Sequence, residues 1–290
     1  MHLMRNNIND GVFQSRVAIL EGLHHASETT YLDRLTDSES RYLSAINNNF
    51  RRDRWIAGRM AAKYLMLKKI CDDENKTSKS INVAVDQSAI CEISTDKFLQ
   101  IEILPRYGKA GNPPVIFTAN NGINNHNIGY LCITHSQGIS VAMICDGKNI
   151  GIDIERSEWR QPQFYNMHFT ESENAWVKQT SEHTSVDEAW YFTLLWTIKE
   201  ALIKTELCIG SSIWSMRTIE ISMPSTYVDW SLLHKTSQTS KAKIGEVFNT
   251  ICMRANYAGT GFNLKVFFSA YIEKILTVIE VEGNDNERTC

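Results

Sequence analysis

The sequence predicts an α+β fold. Residues 52–70 and 187–205 have the apolar periodicity of helices. Short stretches typical of strands cluster between residues 130 and 155 and return after residue 217. The chain has 290 residues, of which 43% are hydrophobic and 22% charged. This is an ordinary globular composition, and the length suits one large domain or two modest ones.

The composition argues against several classes of protein. A formal net charge of -3 does not fit a nucleic-acid protein held by a broad basic field. The seven cysteines are scattered without a Cys-x-x-Cys pair, so we expect free thiols in a reducing compartment. No apolar run reaches the roughly 18 residues of a membrane span, and the first residues lack the apolar core of a signal peptide. We therefore expect a cytoplasmic protein.

The first half of the chain mixes strand and helix signals. Residues 16–20 are short and apolar, which favours a strand. Thr36 lies three residues before Glu39, the spacing of a capping box at a helix start. A helix is predicted over residues 52–70. For the remainder, the sequence predicts a loop with one or two strands over residues 71–105 and a long exposed loop, rich in Gly, Pro and Asn, over residues 108–127.

The second half opens and closes with strands. Residues 130–134 and 139–145 are strand-like, and Asp146-Gly147 indicates a hairpin turn into a strand over residues 150–155. Between these strands and the last ones, two helices are predicted, and the second is apolar over more than half of its circumference, as a core helix would be. The predicted helices span residues 171–179 and 187–205, the later strands 217–222, 247–254, 265–272 and 275–281, and a frayed tail 282–290.

Two carboxylates lie on one face of the strand over residues 150–155. Strand alternation places Asp153 and Glu155 on the same side, close enough to share a cation. Oxygen ligands with no nearby His or Cys favour magnesium over zinc. Taken alone, however, the pair fits a solvated acidic strand face better.

The helix over residues 187–205 carries a polar stripe. Trp196, Glu200 and Lys204 follow one another at four-residue spacing and so share one side. Glu200 could complete a three-carboxylate magnesium site, and Lys204 could meet a phosphate held there. The alternative is an ordinary surface pair between Glu200 and Lys204, but the helix is too apolar to be exposed.

Together, the two segments resemble a known signature. Gly151-Ile-Asp-Ile-Glu155 followed by Trp196-Thr-Ile-Lys-Glu-Ala-Leu-Ile-Lys204 is similar to the motifs of the larger, Sfp-like type of 4'-phosphopantetheinyl transferase. The resemblance implies two similar α/β halves that form a pseudo-dimer within a working monomer. It divides the chain into an N-terminal half, residues 1–148, and a C-terminal half with the signature, residues 149–281.

Four further segments resemble the family's motifs in the same order. They are Arg54-Trp-Ile-Ala-Gly-Arg-Met-Ala-Ala-Lys63, Tyr107-Gly-Lys109, Ile133-Thr-His-Ser136 and Phe169-Thr-Glu-Ser-Glu173. The chain departs from the pattern at three places. Thr134 replaces a serine, Ala110 replaces a proline, and only Gly210 remains of the glycine-rich turn expected after the signature helix.

The resemblance implies the reaction and the residues that perform it. Phosphopantetheine would pass from coenzyme A to a serine of an apo acyl or peptidyl carrier protein, releasing adenosine 3',5'-bisphosphate. Asp153, Glu155 and Glu200 would hold Mg2+, and Lys204 would neutralise charge on the leaving phosphate. The coenzyme A contacts would come from Arg54, Arg59, Lys63, Lys109, Thr134, His135 and Lys204.

The base and the docking residues have competing interpretations. Glu173 is the candidate general base for the carrier serine, and a solvated glutamate at a helix start is an equal alternative. His135 is a candidate for phosphate contact, although a histidine in a turn is more often structural. Three aromatic residues are candidates for carrier docking and could equally belong to the core: Trp159, Phe164 and Tyr165.

Two other functions compete with the transferase. One is a magnesium-dependent phosphohydrolase that uses the same carboxylates on another nucleotide. The second is a module that binds coenzyme A or a carrier protein without turnover. The complete set of three acids and Lys204 argues against loss of activity.

Overall fold

A computed structural model gives the fold of most of the chain. It describes residues 16–21, 31–74, 82–85, 90, 92–105, 114–118, 130–145, 150–205, 216–224, 228–231, 234, 249–257, 259–271 and 274–282. The chain divides between Lys148 and Asn149 into two compact units, called here the N unit and the C unit. Each unit has its own hydrophobic core.

The N unit packs a long helix on a mixed sheet. Its elements are β1 (Arg16–Glu21), α1 (Asp37–Ser44), α2 (Asn49–Glu74), β2 (Asn82–Val85), α3 (Thr95–Leu99), β3 (Ile101–Pro105), β4 (Pro114–Thr118), β5 (Tyr130–Ser136) and β6 (Ile139–Cys145). The sheet order is β2-β1-β6-β5, with β1 and β2 parallel and the other neighbours antiparallel. Helix α2 lies on β6 and β1, and β3 pairs with β4 in a second sheet.

The C unit packs a buried helix on an antiparallel sheet. Its elements are β7 (Ile150–Arg156), α4 (Pro162–His168), α5 (Glu171–Thr184), α6 (Glu188–Ile203), β8 (Ile219–Ser222), β9 (Asn249–Tyr257), β10 (Thr260–Tyr271) and β11 (Lys274–Glu282). The sheet order is β7-β11-β10-β9-β8. Twelve of the sixteen residues of α6 are buried, which explains its apolar sequence. No helix in the described part of the chain has both the length and the apolarity needed to cross a membrane.

The two units share one plan. In both, a first strand is followed by a helix that begins with a capping box and then by the helix that lies on the sheet. An antiparallel pair and a final hairpin complete each unit, and the last strand pairs with the first. With β2, α3 and α4 left aside, since each is described in one unit only, β1, α1, α2, β3, β4, β5 and β6 correspond in order to β7, α5, α6, β8, β9, β10 and β11. The α+β fold with two similar halves is therefore confirmed.

Most predicted elements are present with shifted ends. The predicted helix over residues 52–70 is α2, and the one over residues 187–205 is α6. The predicted loop over residues 108–127 is wrong in part, because it contains β4. Proline was interpreted as a loop signal, but at the first position of a strand it is tolerated, and β4 begins with Pro114. The sequence also missed α4, which starts with Pro162. Lys109, the turn at Asp146-Gly147 and Gly210 lie outside the described residues.

Candidate active site

Strand β7 and helix α6 approach each other closely at Gly151. A Cβ atom on Gly151 would lie 1.9 Å from the carbonyl oxygen of Ala201, a separation that real Cβ atoms do not adopt. Glycine is therefore required here by contact with helix backbone rather than by conformation. Since side chains alternate along a strand, Asp153 and Glu155 share the face of Gly151 and so face α6.

A buried polar link supports this strand face. Thr277 pairs with Asp153 across β7 and β11. The hydroxyl of Thr277 is 2.7 Å from the hydroxyl of Thr197 on α6, and both side chains are fully buried. The link fixes the helix over the strand pair that carries the acids.

Asp153, Glu155 and Glu200, which we call the acidic cluster, come together in the C unit. Asp153 is buried, and its Oδ1 accepts a hydrogen bond of 2.6 Å from Lys204 Nζ. Burial and then the charge of Asp153 raise the pKa of Glu155 to about 7, although Arg160 and Lys204 oppose the shift. Burial also raises the pKa of Glu200 to about 7, with Lys204 opposing and Asp153 contributing. The three predicted acids therefore share one electrostatic site.

Arg160 is a member of the site that the sequence did not reveal. Its Nη2 lies 3.6 Å from Glu155 Oε2. The guanidinium also lies over the rings of Phe164 and Trp196, with Cζ 4.7 Å and 5.7 Å from the two centroids. It follows no motif in the sequence. The signal that could have found it is the excess of acid, which a second cation had to balance.

The acidic cluster fits a hard divalent cation by chemistry but does not form a closed ligand set. Burial and nearby carboxylates raise the pKa of Glu155 and of Glu200, so a cation that restores their charged form would be favoured here. Among the described residues, however, no group of three His, Cys, Asp or Glu side chains is arranged to hold a metal ion. Instead, Asp153 is turned to the ammonium of Lys204.

Glu173, the expected base, is placed in the interior. It is 1% exposed and completes the capping box of α5. Its Oε2 accepts hydrogen bonds from Thr170 N and Lys199 Nζ, and its Oε1 accepts one from Ile221 N. A carrier serine could not reach this carboxylate without opening the core, so the placement argues against Glu173 as the base.

Two expected coenzyme A residues of the N unit are also interior. Lys63 is fully buried, and its Nζ lies 2.5 Å from Glu39 Oε2. Arg59 is 6% exposed and donates from Nε to the carbonyl of Ile103 at 2.9 Å. Burial lowers the pKa of Arg59 to about 10. Neither side chain is exposed to solvent, so the structure does not favour a phosphate contact at Arg59 or Lys63, and these contacts stay predictions.

Arg54 and His135 form an accessible polar group in the N unit. Arg54 donates from Nη2 to the carbonyl of His135 at 2.9 Å. The His135 Nδ1 lies 3.0 Å from the Ser140 hydroxyl, which orients the ring. A Cβ on Gly58 would lie 2.5 Å from the His135 Cε1, so the glycine on α2 leaves room for this ring. Thr134 next to it is buried.

The aromatic residues near α4 differ in exposure. Trp159 is 60% exposed, Phe164 packs partly buried against the core, and Tyr165 is 8% exposed. The rings of Trp159 and Tyr165 meet edge to face at 6.1 Å. Only Trp159 of these three has the exposure of a docking residue.

Comparison with known proteins identifies the segment that carries the acidic cluster. Residues 149–254 match the family model of the 4'-phosphopantetheinyl transferase superfamily. The matched segment includes β7, α4, α5, α6 and β8. A comparison of the chain with curated proteins gave no match.

We predict that Gly151→Ala destabilises the C unit. The new methyl group meets a backbone oxygen, which cannot move as a side chain tip would, so we expect a loss of about 1–3 kcal/mol and a lower Tm. Gly261→Ala is the matched control, because its Cβ would have 3.7 Å to the nearest atom, Arg254 Nη2. Equal Tm values for the two variants would contradict the assigned contact.

Proposed function

Because residues 149–254 are a domain of the 4'-phosphopantetheinyl transferase superfamily, we propose that this protein acts on carrier proteins. It transfers 4'-phosphopantetheine from coenzyme A to a serine hydroxyl of an apo acyl or peptidyl carrier protein. The reaction requires Mg2+, releases adenosine 3',5'-bisphosphate and takes place in the cytoplasm, where the protein works as a monomer. The observation that carries the proposal is the acidic cluster with Lys204 inside the matched segment.

The acidic cluster suits a reaction at a pyrophosphate. Asp153, Glu155 and Glu200 would hold Mg2+, which supplies charge neutralisation to the phosphate groups when bound. Lys204 now has Asp153 as its anionic partner, 2.6 Å away. With Asp153 engaged elsewhere, Lys204 needs another anion, and a phosphate oxygen of the donor provides one. Arg160 lies beside the same acids and supplies a second cation for the donor or the carrier.

Arg54 and His135 are the N-unit residues that best suit a phosphate of coenzyme A. Arg54 is partly exposed and uses one of five donors on the His135 carbonyl. His135 is held through Nδ1, so we infer that it contacts a phosphate through Nε2. Lys109 remains a candidate on sequence alone. The buried Thr134 supports the strand that carries His135.

We predict that Asp153→Ala abolishes transfer while the fold is kept. The change removes a proposed metal ligand and the partner of Lys204, so we expect at least a 100-fold loss of rate. The assay incubates the protein with coenzyme A, Mg2+ and an apo carrier, and mass spectrometry measures the mass gained by the carrier. Glu182→Ala on the exposed side of α5 is the control and should keep the parent rate. Full activity of Asp153→Ala in chelator-treated buffer would disprove the metal assignment.

The same assay separates the competing functions. A parent protein that modifies none of several carrier types is not a carrier transferase. Release of inorganic phosphate from a nucleotide without carrier modification would favour the phosphohydrolase. Binding of coenzyme A with neither product would favour the non-catalytic module.

We predict that His135→Ala weakens coenzyme A binding by about 10- to 100-fold, the range expected for one hydrogen bond to a charged group. Calorimetry measures the Kd for coenzyme A. Exposed His183 on α5 provides the control, since His183→Ala removes an imidazole far along the chain from the proposed contact. If both variants keep the Kd of the parent, His135 does not contact coenzyme A.

A further inference from the structure

The C unit has a buried Lys–Glu ion pair next to the acidic cluster, and the N unit has an equivalent pair. Comparison of the two units indicates the role of this pair. In the C unit, Lys199 Nζ donates to Glu173 Oε2 at 2.7 Å, to His168 O at 3.0 Å and to Met216 O at 3.1 Å. All three ammonium protons therefore have acceptors. Glu173 in turn binds the amides of Thr170 and Ile221.

The N unit contains the same arrangement atom for atom. Lys63 Nζ donates to Glu39 Oε2, to Arg34 O and to Phe98 O. Glu39 Oε2 accepts from the amide of Thr36, and its Oε1 accepts from the amide of Ile103. Each glutamate lies three residues after the threonine of its capping box, and both lysines are fully buried.

The units differ in what lies next to the lysine. Glu200 follows Lys199, whereas Tyr64 follows Lys63. Asp153 and Glu155 pair with the fourth and second residues of the last strand, β11. The residues of β1 that pair with the fourth and second residues of β6 are Ala18 and Leu20. At these described positions the N unit thus has the ion pair without the three acids. Because the buried Lys–Glu pair occurs in both units, the shared fold is enough to explain it. The pair therefore gives no reason to assign a catalytic base to Glu173.

Three consecutive residues of α6 show how the pair acts on the site. Lys199 is bound to α5, to the end of α4 and to the turn before β8. Ala201 touches Gly151 of β7 on the other side of the helix. Glu200 lies between these two fixed points, so the rotation of α6 about its axis, and with it the distance from Glu200 to β7, is determined on both sides.

We propose that Glu173 and Lys199 are a positioning pair that holds Glu200 in the acidic cluster, and that Glu173 does not take the proton of the carrier serine. This inference rests on the proposed function, which supplies the cation that Glu200 would bind. The two residues of the pair would contact neither the donor nor the carrier. Their effect is measured through cation affinity and stability as well as through transfer.

The first experiment compares the two lysines. Lys199→Met and Lys63→Met each leave a buried glutamate without its counter-charge, so both should lower Tm by about 6–12 °C. Lys199→Met should also weaken Mg2+ binding by about tenfold, as loss of a supporting residue does, while Lys63→Met keeps the Kd of the parent. Calorimetric titration with Mg2+ alone gives the Kd. Equal weakening by both variants, or by neither, would overturn the inference.

The second experiment removes both charges, so that folding is maintained. In Glu173→Gln/Lys199→Met the glutamine can still close the capping box, and no charge remains buried alone. If Glu173 only positions Glu200, saturating Mg2+ should restore kcat to within about tenfold of the parent. If Glu173 is the base, kcat falls by 100-fold or more at any Mg2+ concentration, because an amide cannot accept the proton. That result would overturn the inference.

The two proposals fail in different ways. A parent protein that binds Mg2+ but modifies no carrier disproves the proposed function, and the Mg2+ affinities of the lysine variants still decide the positioning role. A parent protein that modifies carriers but binds no Mg2+ overturns the positioning role, because Glu200 would then have no cation to hold.

Discussion

The backbone contact between β7 and α6 at Gly151 is the constraint on which the C unit site depends. Strand and helix approach so closely that residue 151 has no room for a Cβ. Alternation along β7 then turns Asp153 and Glu155 toward the helix, where water is scarce. Carboxylates gathered in such a place repel one another and resist ionisation, which is why two of the three have a pKa raised to about 7. The close packing that Gly151 permits thus accompanies the burial that raises these two pKa values.

The repeated plan separates what the fold needs from what the chemistry needs. Both units have the capping box and the buried Lys–Glu pair, with the same backbone acceptors. At the positions of Asp153, Glu155 and Glu200, the corresponding residues of the N unit are the non-acidic Ala18, Leu20 and Tyr64. The sequence alone does not distinguish Glu173 from the three acids of the cluster. Its counterpart Glu39 has the same buried lysine partner, which fits the positioning role proposed above.

Sequence reasoning was most successful where the periodicity was strong and local. Helix α6 and the strand with the acid pair followed from apolar spacing, and the capping box at Thr36 followed from its Thr-x-x-Glu signal. It was least successful for side chains whose role depends on whether they are buried or exposed. Nothing in the sequence distinguishes the interior Lys63 and Arg59 from the accessible Arg54, because all three lie on one helix, and exposure depends on what packs against it. Arg160 lies in no motif, and its place depends on how the segment between β7 and α4 folds back.

Charge balance connects the geometry with the proposed chemistry. Within the site, three carboxylates face two cations, Lys204 and Arg160, which leaves one net negative charge when all are ionised. Such a site repels a pyrophosphate, so the chain by itself is poorly suited to its proposed donor. A divalent cation bound by the acids would reverse the sign to one net positive charge and would free Lys204 from Asp153. The same acids that make the bare site unfavourable for a phosphate are therefore the reason why it should bind the donor only together with a cation.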